Sequence, residues 1–242
     1  MNQPVVSNRK ETMMNPKPIL FAALSLGLLG LSSTPSLAQI SKQGDGYLFR
    51  MKFTPGAKAS YTMTMSGIGA PGAAGGGNMT MKLVQVVKSV ANGVGTIEFT
   101  VSGGMVPKPM VQTMKMDGRG KVVGGGQNMQ QIQQVELPAN AMKIGSTWKG
   151  QMKSATQMGE MTTNYTYKFV GLKKIGKNDC AQIFVTNTAT GASLKTSGSG
   201  NVFLRLADGS METMNMNQKV TISNPQTAKP MTINPTMTMA RS

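Results

Sequence analysis

The sequence contains no histidine and a single cysteine, Cys180. Without histidine the chain lacks the side chain most used for acid–base work near neutral pH and for zinc or copper(II) ligation. One cysteine cannot close an internal disulfide, so the fold must rest on its core. Cys180 sits between "GKND" and "AQIFV" at the start of an apolar run, which points to a buried, unreactive thiol rather than a nucleophile. Acidic residues are scarce as well: nine stand against 25 lysines and arginines, a net charge of +16. Asp117, Asp179 and Asp208 fall in turn signatures, where a carboxylate caps the backbone. No close acidic pair suggests a glycosidase couple, and no serine elbow, phosphate loop or calcium loop appears. These absences point away from an enzyme and imply no cofactor.

Aromatic residues make up only 5% of the chain. Single-strand nucleic-acid binders need aromatic stacking platforms, and the lysines are scattered along predicted strands rather than clustered. Nucleic acid is therefore excluded as a partner. The basic charge fits an anionic envelope component, such as lipid headgroups or acidic polysaccharide, or serves only to keep the protein soluble.

There is one long hydrophobic run, "ILFAALSLGLLGL", Ile19 to Leu31. Arg9, Lys10 and Lys17 precede it, and the breakers Ser32, Ser33 and Pro35 follow it. Ser36 and Ala38 supply the small residues a signal peptidase needs, so residues 1–38 read as a secretory leader cut after Ala38. The run is too short for a membrane span, which needs roughly 20 residues. A protein located in the periplasm or secreted, with no transmembrane anchor in the mature chain, is the expectation. Its net charge would be +14.

Most of the remaining chain alternates apolar and polar residues with period two, the pattern of a half-buried strand. "YLFRMKF" puts Tyr47, Phe49, Met51 and Phe53 on one face, and "SYTMTMS" does the same with Tyr61, Met63 and Met65. Met79, Met81 and Leu83 alternate with Thr80 and Lys82; Tyr165, Tyr167 and Phe169 alternate with Thr166 and Lys168. Further strands are predicted near 94–102, 110–117, 146–153, 180–188, 200–206 and 210–222, separated by "PGAK", "ANG", "MDGRG", "GKND" and "ADGS" turns. The one helix candidate is Asn128 to Leu137, stopped by Pro138. Glycine-rich loops at 67–77 and 124–126 look flexible, and the tail after Asn224, with Pro225, Pro230 and Pro235, looks like an extended edge or a disordered end.

Asn78–Val101 and Asn164–Asn187 align without gaps with eight identities in 24 positions. Gly56 before the first passage answers Gly145 before the second, and "MDG" at 116–118 answers "ADG" at 207–209. An internal duplication is the expectation: a first β repeat at 39–126, a linker with a short helix at 127–141, a second β repeat at 142–224 and a tail at 225–242. Each half would be an antiparallel meander with one apolar face, the two forming one curved sheet, a half-barrel or a sandwich.

The order "FTPG", "SYTMTM", "LPANAMKIGSTW", "YTYKFVGLKKIGKNDCAQIFV" and "GSGNVFLRLADGSM" resembles a family of uncharacterised secreted bacterial proteins that share a domain of unknown function. The shared step is Pro138, Gly145 and Trp148 followed by a strand hairpin. At fold level the chain also resembles, more weakly, the half-barrel sheets of periplasmic lipoprotein carriers. Neither resemblance implies catalytic residues.

What the chain has in abundance is methionine, 23 residues, several in Met-x-Met pairs: Met63/Met65, Met79/Met81, Met114/Met116, Met214/Met216 and Met237/Met239. On a strand, residues i and i+2 share a face, so each pair presents two thioethers together. Three readings follow. The first is a non-enzymatic structural or protein-binding module of a bacterial envelope, in which methionine replaces Leu and Val. The second is a carrier of a hydrophobic or lipid ligand, with Met63, Met65, Met79, Met81, Tyr165, Tyr167 and Phe169 lining its face. The third is copper(I) or silver(I) binding by the soft sulfurs of Met63, Met65, Met79, Met81, Met114, Met116, Met214 and Met216.

Overall fold

A computed structural model of the chain describes residues 40–68, 77–104, 106–123, 136–156, 159–191, 194–223 and 230–242. The expected leader and its cleavage site, and most of both glycine-rich loops and of the expected helix, lie outside the described residues. Glu136 and Leu137, the last two residues of that helix candidate, are not helical, and Pro138 follows them directly.

Strands β1 (Ile40–Gln43) and β2 (Gly46–Phe49) form a small separate hairpin. Nine of the remaining strands run β3 (Lys58–Ile68), β4 (Gly77–Ala91), β5 (Val94–Gly103), β6 (Val106–Met116), β7 (Thr147–Thr156), β8 (Gly159–Ile175), β9 (Asn178–Thr190), β10 (Leu194–Arg205) and β11 (Met211–Ile222). Two more follow, β12 (Met231–Ile233) and β13 (Thr236–Arg241). β3 to β13 belong to one antiparallel sheet in the order β6-β5-β4-β3-β13-β11-β10-β9-β8-β7, with β12 paired to β11 beside β13. β6 and β7 are its edges, so the sheet is not closed and the sandwich alternative falls away.

Period-two alternation explains the strands. Along β9 every second residue from Ala181 to Ala189 is buried while Phe184, Thr186 and Thr188 are exposed, because one face packs and the other meets water. Tight turns set the register: Asn92 and Gly93, at φ 51° and 75°, join β4 to β5 through the two-residue loop that such backbone angles favour.

The two related passages form the β4–β5 and β8–β9 hairpins. Gly56 donates its N–H to the Val87 carbonyl and Gly145 donates to that of Phe169, at 2.8 and 2.7 Å, and a bulge follows Val87 and Phe169 alike. Opposite them lie Ile97 and Ile183. The ungapped alignment matches Ile97 to Ile183 but pairs Phe169 with Leu83 instead of Val87, because the second hairpin is four residues longer between bulge and turn. A four-residue slip on a strand keeps every side chain on its face, so the sequence pattern does not reveal it.

Two expectations change. The tail after Asn224 is neither a sheet edge nor a disordered end over its described part: β13 sits between β3 and β11 in the middle of the sheet. Pro230 and Pro235 flank β12 and β13 rather than interrupting them, so they cost the ladder no donor. The run "YLFRMKF" is a strand only to Phe49, after which the chain leaves the hairpin to pack across one end of the large sheet.

That end carries the β4–β5, β8–β9 and β10–β11 turns, and the N-terminal segment plugs it. Phe49, fully buried, meets Phe169 edge-on with centroids 5.1 Å apart and lies 6.1 Å from Trp148. Backbone bonds tie the segment down at several points: Ile40 to Leu206, Tyr47 to Met142, Met51 to Gly118 and Lys52 to Asp208. Arg50 closes the arrangement by donating to the carbonyls of Phe49, Pro138 and Ala139. Leu137 is bonded to Arg119, just past β6, while the Glu136 carbonyl accepts from the Trp148 indole on β7 at 2.7 Å. Two adjacent residues thus bridge the two edges of the sheet at the plugged end.

Candidate functional site

The face of the sheet that meets the plug is followed outward most easily by its cross-strand rows. The first row runs Phe169, Ile183, Val202, Met214, Met239, Met63 and Met81 across seven strands, from β8 to β4. The second, farther from the plug, runs Trp148, Tyr167, Val185, Gly200, Met216, Met237, Met65 and Met79, from β7 to β4. On β11, β13, β3 and β4 both rows consist of methionine alone. Four of the five Met-x-Met pairs therefore stand side by side on one face, a block about 14 Å wide at the usual strand spacing.

Met114 and Met116 do not join the block. They lie on edge strand β6, at 6% and 0% exposure, inside the core. Met237 and Met239 take their place, brought in by the central position of β13. The sequence signal for this was present in the Met-Thr-Met-Thr alternation, but the pairing partner of β13 was not.

Burial grades across the rows. Phe169 and Tyr167 are at 0% and 2% exposure, enclosed by Phe49, Tyr47, Trp148 and Tyr165. They are already occupied by the protein itself and are not free to line a ligand face. Met214, Met216 and Met239 are buried; Met63, Met65, Met79, Met81 and Met237 are partly exposed. Within these two rows the accessible methionine surface thus lies on β13, β3 and β4, beside a sealed core.

A third row, Gly150, Tyr165, Asn187, Gly198 and Gln218, is polar. Asn187 is 5% exposed and its Oδ1 has no hydrogen-bond partner among the described residues. A buried acceptor left in this state costs about 1–3 kcal/mol and is a place where a ligand N–H or O–H gains.

Cys180 is fully buried, and burial is the main reason its thiol pKa is pushed up to about 11, so it is protonated and inert at neutral pH. No cluster of three His, Cys, Asp or Glu side chains able to hold a metal occurs among the described residues, and no helix there is long and apolar enough to cross a membrane. The chain matches no family model and no curated protein.

Burial raises the pKa of the Tyr61 and Tyr167 hydroxyls above the ordinary phenol value. Their folded forms hold protons that the unfolded chain gives up near pH 10, so stability is retained below about pH 10 and falls above it. Urea midpoints at about pH 9 and about pH 11 should show the fall, and Tyr167→Phe should lose less over that interval than the parent chain. Equal losses in both would remove Tyr167 from this account.

Proposed function

We propose that this chain is a non-enzymatic binder of an apolar, chain-like ligand, held along the methionine block of a half-barrel sheet built from two related halves. The observation that carries the reading is the partly exposed run of Met63, Met65, Met79, Met81 and Met237 beside a core that the protein seals for itself. An unbranched thioether side chain adapts to apolar partners of varied shape, which rigid Ile or Val does not do. The buried and unpaired Asn187 acceptor gives the polar part of an amphiphile a place to donate. Export to the periplasm, as expected from the leader, and membership of a secreted family remain part of this proposal, as does the structural or protein-binding alternative if no ligand is carried.

The block supports a second reading, copper(I) or silver(I) held by several of eight thioethers that stand side by side across four strands. The high positive charge disfavours a bound cation and favours an amphiphile with an anionic group, so the apolar ligand is preferred.

Native mass spectrometry of protein exported to a bacterial periplasm with copper supplied, and purified without chelator, separates these readings. A lipid-sized adduct is expected. Met65→Gln with Met79→Gln should weaken apolar-probe binding roughly tenfold or more, since each removes a thioether that the probe would cover. Leucine at the same positions should leave apolar binding nearly intact and remove any copper. A bare mass together with no probe binding would overturn both readings in favour of a structural module.

A further inference from the structure

The charges divide between the two ends of the sheet. Every acidic residue after Ala38 except Glu160 lies at the plugged end or on the half of a strand nearest it. Most of them are matched there: Asp45 with Lys143, Glu136 with Arg119, Asp179 with Lys174, Glu212 with Arg205, and Asp208 with both Arg205 and Arg241. At the far end the count reverses. Lys108 on β6, Lys153 on β7, Lys195 on β10 and Lys219 on β11 fall on the far halves of their strands, where the one acidic residue of a strand is Glu160 at the start of β8. Lys108, Lys195 and Lys219 are exposed, and none has an ion-pair partner among the described residues.

The same end also carries partly exposed apolar side chains. Leu194, Ile222 and Met231 form one cross-strand row beyond the polar one. Basic residues around an apolar row match the boundary of an anionic bilayer, where lysine meets headgroups and aliphatic groups meet acyl chains. A soluble acidic polysaccharide would use the lysines but leave the apolar row in water.

We infer that the far end docks on an anionic lipid surface, with Lys195 and Lys219 on headgroups and the row of Leu194, Ile222 and Met231 at the acyl boundary. The inference rests on the ligand-groove reading for its purpose, since it points the methionine block at a lipid source. Its test does not depend on that reading, because vesicle docking is measured without any ligand transfer.

The exported protein is floated with phosphatidylcholine vesicles and with vesicles that also contain phosphatidylglycerol. Binding is expected only to the second, weakening as salt is added. Lys195→Gln with Lys219→Gln should weaken it roughly fivefold for each lysine removed, whereas Lys42→Gln with Lys177→Gln, two exposed lysines of the plugged end, should leave it unchanged. Ile222→Ser should weaken binding further without changing its salt dependence. Equal loss in the two lysine pairs would overturn the inference in favour of diffuse charge attraction. Capture by an acidic polysaccharide resin with no vesicle binding would overturn it in favour of a polysaccharide partner. If vesicles bind as expected but no lipid adduct is ever found, the groove reading fails and the docking end stands.

Discussion

Phe49→Ala should destabilise the protein by about 3–5 kcal/mol and lower its melting temperature by roughly 10 °C or more. Phe49 has no exposed surface and its ring fills the space between Phe169 and Trp148, on strands that cannot close over the gap without breaking their own ladder. The loss would not stay local. The β1–β2 hairpin reaches the large sheet through few backbone bonds, and Arg50, which holds the Phe49 carbonyl, draws its other partners from Pro138 and Ala139. Exposure of the first methionine row should accompany the change, seen as increased binding of an apolar dye. Phe49→Leu should recover much of the stability, because it refills most of the volume. A shift below about 1 kcal/mol in the alanine variant would mean that the hairpin does not seal this end.

Gly200→Ala should be the second severe change, at roughly 3 kcal/mol. A methyl group built on Gly200 would lie 2.7 Å from both the Cα and the sulfur of Met216 on the neighbouring strand. The sulfur can swing away, but the Cα cannot move without parting β10 from β11, which hold each other over eleven register pairs. Gly118→Ala is the matched control, since its added methyl meets nothing closer than 3.6 Å. Thermal melts of the two should differ by roughly 6–10 °C. Identical melts would show that β10 and β11 have room to spare at the glycine.

The strands were legible because alternation of the kind seen in "SYTMTMS" has only one structural meaning over that length. The pairing of Met63 with Met65 on one face was legible for the same reason. What could not be read was which strands lie side by side. Met63 meets Met81 through a nearby hairpin, but it meets Met239 only because β13 inserts from the far end of the chain. No local rule encodes that choice, and prolines near 230 argued against a central strand although they only precede it. The buried state of Phe169 was hidden likewise, since its cover comes from Phe49, more than a hundred residues away in sequence. Asn187 was unremarkable in the sequence, where Asn-Thr in a strand suggests a solvated position; its burial depends on Tyr165 and Gly198 beside it.

The insertion of β13 also governs when the chain can fold. Until Thr236–Arg241 have been made, β3 and β11 each face an unfilled slot, and the meanders on either side have no common ladder. The contacts that join them span nearly the whole described sequence, so closing them is entropically late and slow. Under the export proposed above, a chain that crosses the membrane unfolded would gain from this order of events. Its keystone arrives last, and the intermediate that precedes it exposes unpaired edges to any chaperone able to keep it extended.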